Sequence, residues 1–356
     1  MKKIINDLKK SIDKNRPPNT INIMEVCGTH TMAISRSGLR QLLPDELNLI
    51  SGPGCPVCVT SNRDIDHIIG IIRDYPVTLF TFGDMIRVPG TDSSLQLEKS
   101  RGKDVRICYS PMDAFDYAKN NPDREVVFIA IGFETTAPLT AVLIKRAYDE
   151  DLKNFHIFNT HKLVPPALEL LLLDKEINID AFLCPGHVSA IIGSIPYQFI
   201  ADKYNIPCVI SGFEPIDILE SLDMILNQYS KGRASVQIQY DRVVKPEGNP
   251  TAAALIEEVF EPADSFWRGI GNLPLTGLKL RDRYMRFNAA ALFPAKTIDS
   301  KEPPGCKCGD VLKGILKPFE CKLFARACTP ENPVGPCMVS SEGSCAAYYK
   351  YERTKI

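Results

Sequence analysis

The feature that most restricts the fold of this chain is an alternation of short apolar runs with amphipathic segments between residues 20 and 215. The runs are rich in β-branched residues and have strand length, whereas the segments between them have the apolar spacing of helices. Alternating strands and helices build βαβ units, in which helices cover both faces of a parallel sheet. The sequence therefore predicts an α/β fold with strands at residues 21–26, 47–50, 77–82, 105–109, 126–131, 155–159, 181–183 and 208–210.

These strands could close one barrel or form two doubly wound halves, and we favour the halves. A polar turn at 120–124 is typical of a domain boundary, so we predict one α/β domain at 20–120 and a second at 121–232. The alternation then ends, and 233–356 with an N-terminal helix within 1–19 are predicted to form a smaller third domain. The predicted fold class is thus two doubly wound parallel-sheet domains that face a cleft, plus this smaller domain.

Reactive side chains directly follow the predicted strands. In open α/β sheets these turns gather at the carboxyl edge, where ligands bind. Cysteine, histidine and acidic side chains from several turns should therefore meet on one side of the molecule. The candidate site residues at this edge are Cys27, His30, Cys55, Cys58, Asp84, Glu134, His161 and His187.

Cys27 and His30 share the turn after the first predicted strand. A thiolate and an imidazole at this spacing could bind one transition metal, or the histidine could deprotonate the thiol for covalent catalysis. The alternative is a structural histidine that caps the turn. The other candidate residues on the same edge favour a functional role.

Cys55 and Cys58 form a C-x-x-C motif at the predicted start of a helix. Two thiols at this spacing can share a disulfide, and a helix N-terminus lowers the pKa of a thiol. We expect a redox pair or a pair of metal ligands, the alternative being two small buried residues. Glu134 and Asp84 are candidate proton carriers or partners that orient a ligand, unless they cap helices.

Half of the 12 cysteines lie in the last part of the chain, which we call the tail. Because the cytoplasm keeps thiols reduced, they are better explained as metal ligands than as disulfides. Their long, irregular gaps favour a 4Fe–4S cluster, and hence an iron–sulfur domain, with zinc and free structural thiols as the alternatives. Spacing does not settle which four bind; we expect Cys306, Cys321, Cys328 and Cys345, with Cys308 and Cys337 as alternates.

Composition and charge exclude several functional classes. The formal net charge is −1, so the chain lacks the basic excess of a protein that binds nucleic acid by bulk charge. No apolar stretch approaches the ~18 residues of a membrane-spanning helix, and the charged N-terminus does not resemble a signal peptide. We therefore expect a cytoplasmic protein with no nucleic-acid or membrane partner. Glycine-rich motifs for dinucleotides and for P-loop phosphates are absent from the sequence.

Five short motifs are distributed over nearly the whole chain. They are CGTHT beginning at Cys27, GPGCPVC ending at Cys58, GFETT beginning at Gly132, PGHVS beginning at Pro185 and GPCMVSSEGSC ending at Cys345. In this combination they resemble the HypD family of nickel–iron hydrogenase maturation factors.

The resemblance implies a fold and an activity. Two α/β domains face a cleft and a third carries a 4Fe–4S cluster. With the small chaperone HypC, the cleft holds iron while cyanide and carbon monoxide ligands are installed; HypE delivers cyanide as a thiocyanate, and HypF supplies its carbamoyl precursor. By this pattern Cys27 binds the iron jointly with HypC, Cys55 and Cys58 are the redox pair, and His187 and Glu134 line the cleft. The residue pattern adds His30 as a second candidate ligand of this iron.

The predicted function is therefore that of a redox-active scaffold that assembles the iron centre of nickel–iron hydrogenase. A second hypothesis is a stand-alone thiol–disulfide reductase that uses the cluster as its electron source. A third is a zinc-stabilised binding module without chemistry.

Overall fold

Two parallel β-sheets and an antiparallel ribbon carry the fold in the computed structural model, which describes residues 2–295 and 299–353. The strands are β1 (Ile21–Glu25), β2 (Leu47–Ser51), β3 (Val77–Thr81), β4 (Val105–Ile107), β5 (Glu125–Ala130), β6 (Phe155–Asn159), β7 (Ala181–Pro185), β8 (Cys208–Ser211), β9 (Val236–Ile238), β10 (Phe260–Trp267) and β11 (Gly271–Leu280). The helices are α1 (Lys2–Lys14), α2 (Gly28–Ser37), α3 (Pro56–Val59), α4 (Asn62–Asp74), α5 (Leu95–Ser100), α6 (Pro111–Asn120), α7 (Ala137–Asp149), α8 (Val164–Leu173), α9 (Gly186–Ile192), α10 (Gln198–Tyr204), α11 (Pro215–Ser230), α12 (Pro250–Val259), α13 (Ala289–Leu292), α14 (Cys308–Leu312), α15 (Pro336–Val339) and α16 (Ser344–Tyr351). All eight strands predicted from the sequence are present, and an α/β class with parallel sheets is confirmed.

Both parallel sheets are doubly wound. The first has the strand order β2-β1-β7-β8-β9 and the second β4-β3-β5-β6, with every neighbouring pair parallel. The strand order reverses between β1 and β7 in the first sheet and between β3 and β5 in the second. Such a reversal opens a crevice at the carboxyl ends of the two strands, which is where ligands bind in this class of fold.

The strand pairing shows that the predicted boundary at 120–124 is wrong. β3 and β4 come before this turn and pair with β5 and β6 after it, while β1 and β2 belong with β7 and β8. The turn is an ordered connection from α6 to β5, because the Asn154 side chain donates to the carbonyl groups of Ala118, Asn121 and Arg124. A polar turn therefore marked the end of a crossover helix and not the end of a sheet.

The N-terminal helix does not join the tail as predicted. α1 packs on α11, and Ile12 is only 2% exposed in a core with Ile21 of β1 and Leu222 of α11. The predicted third domain also starts too early, because β9 completes the first sheet. The β10–β11 ribbon packs against the second sheet, where Phe260 and Leu280 share a core with Phe155.

One core lies between the two sheets. Alternate residues of a strand point to opposite faces, and Val127 of β5 contributes to this shared core while Val126 faces the core beneath α6 and α7. Phe182 of β7 reaches the shared core from the other sheet. This packing brings the ends of β1, β3, β5 and β7 around one cleft. In the described part of the chain, the helices lack the length and apolar character needed to cross a bilayer.

Candidate functional site in the cleft between the sheets

A cleft of about 440 Å³ opens where the two strand-order reversals face each other. Its walls are the turns after β1, β2, β3, β5 and β7, as predicted from the order of strands, together with residues 340–342 of the tail. Cys27, Asp84 and His187 line it directly. The tail therefore contributes to the same site as both sheets.

Cys27 is held at the start of α2, beside the loop that carries the C-x-x-C motif. The amide of Gly28 donates to the carbonyl group of Gly54 (3.1 Å), and a Cβ on Gly54 would lie 2.5 Å from the Cα of Cys27, so only glycine permits this approach. Burial raises the pKa of the Cys27 thiol to about 11, and the Glu342 carboxylate adds to this effect. The free protein therefore holds Cys27 as a thiol at neutral pH, and a bound metal ion would displace its proton.

Glu342 is a cleft residue that sequence reasoning missed. Its Oε1 accepts a hydrogen bond from the Thr29 hydroxyl (2.9 Å), and a Cβ on Gly28 would lie 2.3 Å from the Glu342 carbonyl oxygen. Asp84 holds the preceding residue in place, because its Oδ2 accepts from both the amide (2.9 Å) and the hydroxyl (3.0 Å) of Ser341. Glu342 lies within the tail motif that ends at Cys345, but the motif does not place it at the cleft, which it reaches because the tail folds back over α2.

Cys55 and Cys58 are joined by a disulfide at the start of α3. The Cys58 amide lies 3.1 Å from the Cys55 Sγ, and Pro56 begins the helix where no amide donor is needed. Cys58 is fully buried, with its Sγ 3.9 Å from the carbonyl oxygen of Pro336 in the tail. The pair thus lies between the cleft and the cysteine-bearing tail, while its redox role stays a prediction.

His187 faces the cleft, but His30 does not. Both rings stack on the Phe213 side chain, with centroid distances of 3.9 Å for His187 and 4.9 Å for His30. His30 is fully buried, its Nε2 lies 3.0 Å from the Gly212 carbonyl oxygen, and burial lowers its pKa to about 4. This position favours the structural role of His30, which ties α2 to the turn after β8, over the predicted role as an iron ligand.

Glu134 was expected to line the cleft, but its side chain points toward α8. Its Oε1 accepts a hydrogen bond from the Val164 amide (2.9 Å) at the start of that helix, where Leu163 offers no capping oxygen. The carboxyl group is buried, and this burial raises its pKa to about 7. The neighbouring Phe133 and Thr135 do line the cleft. Glu134 therefore caps a helix, although not the helix next to it in sequence.

The tail cysteines gather in one pocket behind the disulfide. Contacts with Cys308 and Cys337 lower the pKa of Cys345 to about 6, whereas contacts with Cys308 raise the pKa of Cys306 and of Cys337. A Cβ on Gly335 would lie 2.6 Å from the Sγ atoms of Cys306 and Cys308, so a larger residue there would displace the thiols. The cysteines that line the pocket are Cys306, Cys308, Cys321, Cys328 and Cys345.

The chemistry of this donor set agrees with an iron–sulfur cluster. Thiolates are the ligands that such clusters use, and the rest of the lining is mostly apolar, as with Phe324 and Met338. The Val334 amide donates to the Cys328 Sγ (3.4 Å), a contact of the kind that tunes cluster potentials. Among the described residues, no three His, Cys, Asp or Glu side chains form a ready single-ion site. The cluster and its four ligands stay predictions.

Comparison with known protein families identifies the family of this chain. The family model for HypD, described as the hydrogenase formation hypA family, matches residues 1–352. The chain belongs to the HypD family. The resemblance seen in the five sequence motifs is thereby confirmed.

Relatives of this HypD-family chain are similar over nearly their whole length. Hydrogenase maturation factor HypD2 of Bradyrhizobium diazoefficiens is 45% identical over 99% of this chain and 95% of its own. A putative hydrogenase expression/formation protein of Methanocaldococcus jannaschii is 46% identical, with 98% and 95% covered. Hydrogenase maturation factor HypD of Escherichia coli is 46% identical, with 94% and 90% covered.

Proposed function

We propose that this chain is a hydrogenase maturation factor whose cleft holds an iron ion while cyanide and carbon monoxide ligands are added to it. One observation carries the proposal: Cys27 lines the cleft beside the Cys55–Cys58 loop, and the tail cysteines lie directly behind that loop. A single thiol, a dithiol and a further set of thiols are thus arranged in sequence from the cleft inward.

In this proposal, Cys27 is the iron ligand supplied by the chain. A HypC-like small chaperone completes the site from the open side of the cleft, since one thiolate cannot by itself retain the ion. A HypE-like donor brings cyanide as a thiocyanate, after a HypF-like protein has supplied the carbamoyl precursor. The free thiols of the chain suit a reducing compartment, so we place the complex in the cytoplasm.

The Cys55–Cys58 pair supplies the electrons for cyanide release. Cleavage of a thiocyanate R–S–C≡N to R–SH and cyanide takes two electrons, the number that a dithiol releases when it forms a disulfide. The two dithiol protons leave on R–SH and as a proton that accompanies cyanide, so atoms and charge balance. The disulfide in the present structure is the oxidised form of this pair.

The predicted cluster would be held by Cys306, Cys321, Cys328 and Cys345, with Cys308 and Cys337 as alternates. When bound, a 4Fe–4S cluster supplies electrons one at a time. Pro336 contacts Cys58 and directly precedes Cys337, so this part of α15 links the tail thiols to the disulfide. The chain itself holds the thiols in place and keeps water away from Cys58, which is fully buried.

Infrared spectroscopy of the complex, co-expressed anaerobically with all partners, tests the proposal. The wild-type complex should show cyanide and carbonyl bands, and Cys27→Ala should abolish them. The Cys55→Ala/Cys58→Ala double variant should bind iron but show no cyanide bands. Cys108→Ala, which alters a buried cysteine after β4 outside the cleft lining, is the matched control and should keep the bands. Cyanide bands in the double variant would contradict the dithiol role.

A stand-alone thiol–disulfide reductase is the second candidate, favoured by the contact between the disulfide and the tail. Turnover of small disulfides by the cluster-loaded chain distinguishes the two. Rapid turnover without any partner would favour the reductase. We expect slow turnover, because both sulfur-bearing residues of the pair are buried.

A further inference from the structure

Three side chains form a hydrogen-bonded series that ends at the cleft wall. The Asn159 Oδ1 lies 2.6 Å from the His161 Nδ1, and the His161 Nε2 lies 3.1 Å from the Thr136 Oγ1. Thr136 lines the cleft, whereas His161 is fully buried behind it. A hydroxyl, an imidazole and an amide in this order form the arrangement in which one side chain fixes the hydrogen bonding of the next.

The surroundings of Asn159 determine which nitrogen of His161 carries the proton. The Asn159 Nδ2 donates to the Leu278 carbonyl oxygen (2.6 Å), so its Oδ1 must face the histidine. An amide oxygen only accepts hydrogen bonds, and the His161 Nδ1 therefore carries a proton. Burial lowers the pKa of His161 to about 3, and the neighbouring Lys162 adds to this effect. The ring is thus neutral, and its Nε2 is a lone-pair acceptor.

Three acceptors then compete for the single proton of the Thr136 hydroxyl. The Oγ1 is 3.1 Å from both the His161 Nε2 and the Ile131 carbonyl oxygen, and 3.4 Å from the Phe133 carbonyl oxygen, which already accepts from the Thr136 amide. The buried Nε2 would lose about 1–3 kcal/mol if left without a donor. The Ile131 carbonyl belongs to a residue that lines the cleft, where water or a ligand can supply the missing hydrogen bond. The hydroxyl should therefore donate to His161.

Gly132 shows independently that the position of this hydroxyl is constrained. A Cβ there would lie 1.7 Å from the Thr136 Oγ1, and the residue has a φ of +150°. The Lys162 amide donates to the Gly132 carbonyl oxygen (3.0 Å), which fixes the turn after β5 to the turn that carries His161.

We infer that His161 and Asn159 are positioning residues that draw the Thr136 proton away from the cleft, so that Thr136 Oγ1 and the Ile131 carbonyl oxygen form a paired acceptor site on its wall. This site selects a ligand group that offers N–H, O–H or S–H hydrogens. We assign this ligand group to the cyanide donor, and that assignment rests on the proposed function.

Nuclear magnetic resonance of the full chain with isotope-labelled histidine tests the tautomer without any activity assay. The Nδ1 of His161 should carry the proton and the Nε2 should not, with no change between about pH 6 and pH 8. Thr136→Val should shift the Nε2 resonance, and Thr136→Ser should restore it. Thr140→Val is the matched control, because it removes a hydroxyl one turn along α7 that bonds only the Thr136 carbonyl. A proton on Nε2, or an Nε2 resonance unmoved by Thr136→Val, would overturn the inference.

The rate of cyanide addition to iron tests whether the paired acceptor site binds the cyanide donor. Thr136→Val should raise the concentration of loaded cyanide donor needed for half-maximal rate by roughly 3- to 10-fold, the effect of losing one hydrogen bond, while the maximal rate changes less. Thr136→Ser and Thr140→Val should match the wild type. An equal loss in both quantities would assign Thr136 a merely structural role. If the wild type transfers no cyanide, the proposed function fails, and the resonance measurement still decides the hydrogen-bond arrangement.

Discussion

The thiols of the cleft and the thiols of the tail are held in different ways. Cys27 and Cys55 each precede a helix at the carboxyl edge of a parallel sheet, so regular backbone structure fixes their positions. The tail cysteines lie in turns and in helices of eight residues or fewer. The sheets thus position the cleft cysteines through the strand ends, whereas the positions of the tail cysteines depend on what the tail contacts.

The pKa shifts show the same contrast. Burial raises the pKa of Cys27 to about 11, so this thiol is protonated at neutral pH. Hydrogen bonds from Cys308 and Cys337 lower the pKa of Cys345 to about 6. Burial and neighbouring thiols raise the pKa values of Cys306, Cys328 and Cys337, so Cys345 is the one shifted tail cysteine whose contacts favour the thiolate.

The largest expected effect comes from removing a tail thiol. If the tail is organised by a bound cluster, Cys328→Ala should lower the free energy of unfolding of the anaerobic protein by about 4 kcal/mol or more, because metal binding contributes directly to folding. Cys27→Ala should change it by less than about 1 kcal/mol, since α2 and the sheet remain intact. Urea titration followed by circular dichroism measures both. Equal destabilisation by the two substitutions would show that the tail depends on its thiols no more than the cleft does.

The next effect concerns the link between the first sheet and the tail. Arg40 donates to the buried Glu25 (2.6 Å) and approaches Glu352 after α16 (3.4 Å). Arg40→Met leaves Glu25 buried without its partner and should cost about 3–5 kcal/mol. Arg106→Met breaks a solvent-exposed pair with Asp104 and should cost less than about 1 kcal/mol. Thermal or urea unfolding measures the loss of stability in each variant. If Arg40→Met and Arg106→Met lost similar amounts, the tail would not be tethered through Arg40.

Glu134, in the turn after β5, provides a test through the pH dependence of the free energy of unfolding. The unfolded chain releases this proton near pH 4.5, whereas the folded chain holds it until about pH 7. The free energy of unfolding should therefore fall by about 3 kcal/mol as the pH rises through this window. Glu134→Gln should remove this fall, which urea titrations across the window measure, while Glu247→Gln at an exposed site should keep it. If the free energy of unfolding of Glu134→Gln fell with pH as steeply as that of the wild type, a buried, protonated Glu134 would be contradicted.

The smallest expected effect is local to the cleft wall supplied by the tail. Asp84→Asn weakens the hydrogen bonds that hold Ser341, and should speed hydrogen exchange of the Ser341 amide roughly 10-fold while leaving global stability nearly unchanged. Asp92→Asn, at an exposed carboxylate paired with Arg73, should leave that amide as in the wild type. Unchanged exchange in Asp84→Asn would show that the tail covers the cleft without help from the second sheet.

Much of the site was predictable because parallel strands place the turns that follow them on one edge. From the sequence alone, that rule predicts that Cys27 lies near Cys55 and that His187 shares their cleft. It could not give the direction of a side chain within a turn. Glu134 accepts a hydrogen bond from the start of α8, and His30 hydrogen-bonds a carbonyl group, because buried polar groups need hydrogen-bond partners.

The sequence by itself determined the α/β class, the succession of strands and the residue types at their ends, since these follow from local periodicity and turn chemistry. Only the tertiary structure decided which strands share a sheet, that α1 packs on α11 beside the first sheet, and that Glu342 lines the cleft. These features depend on contacts between residues far apart in the chain, and the periodicity of a single segment carries no information about its distant partner.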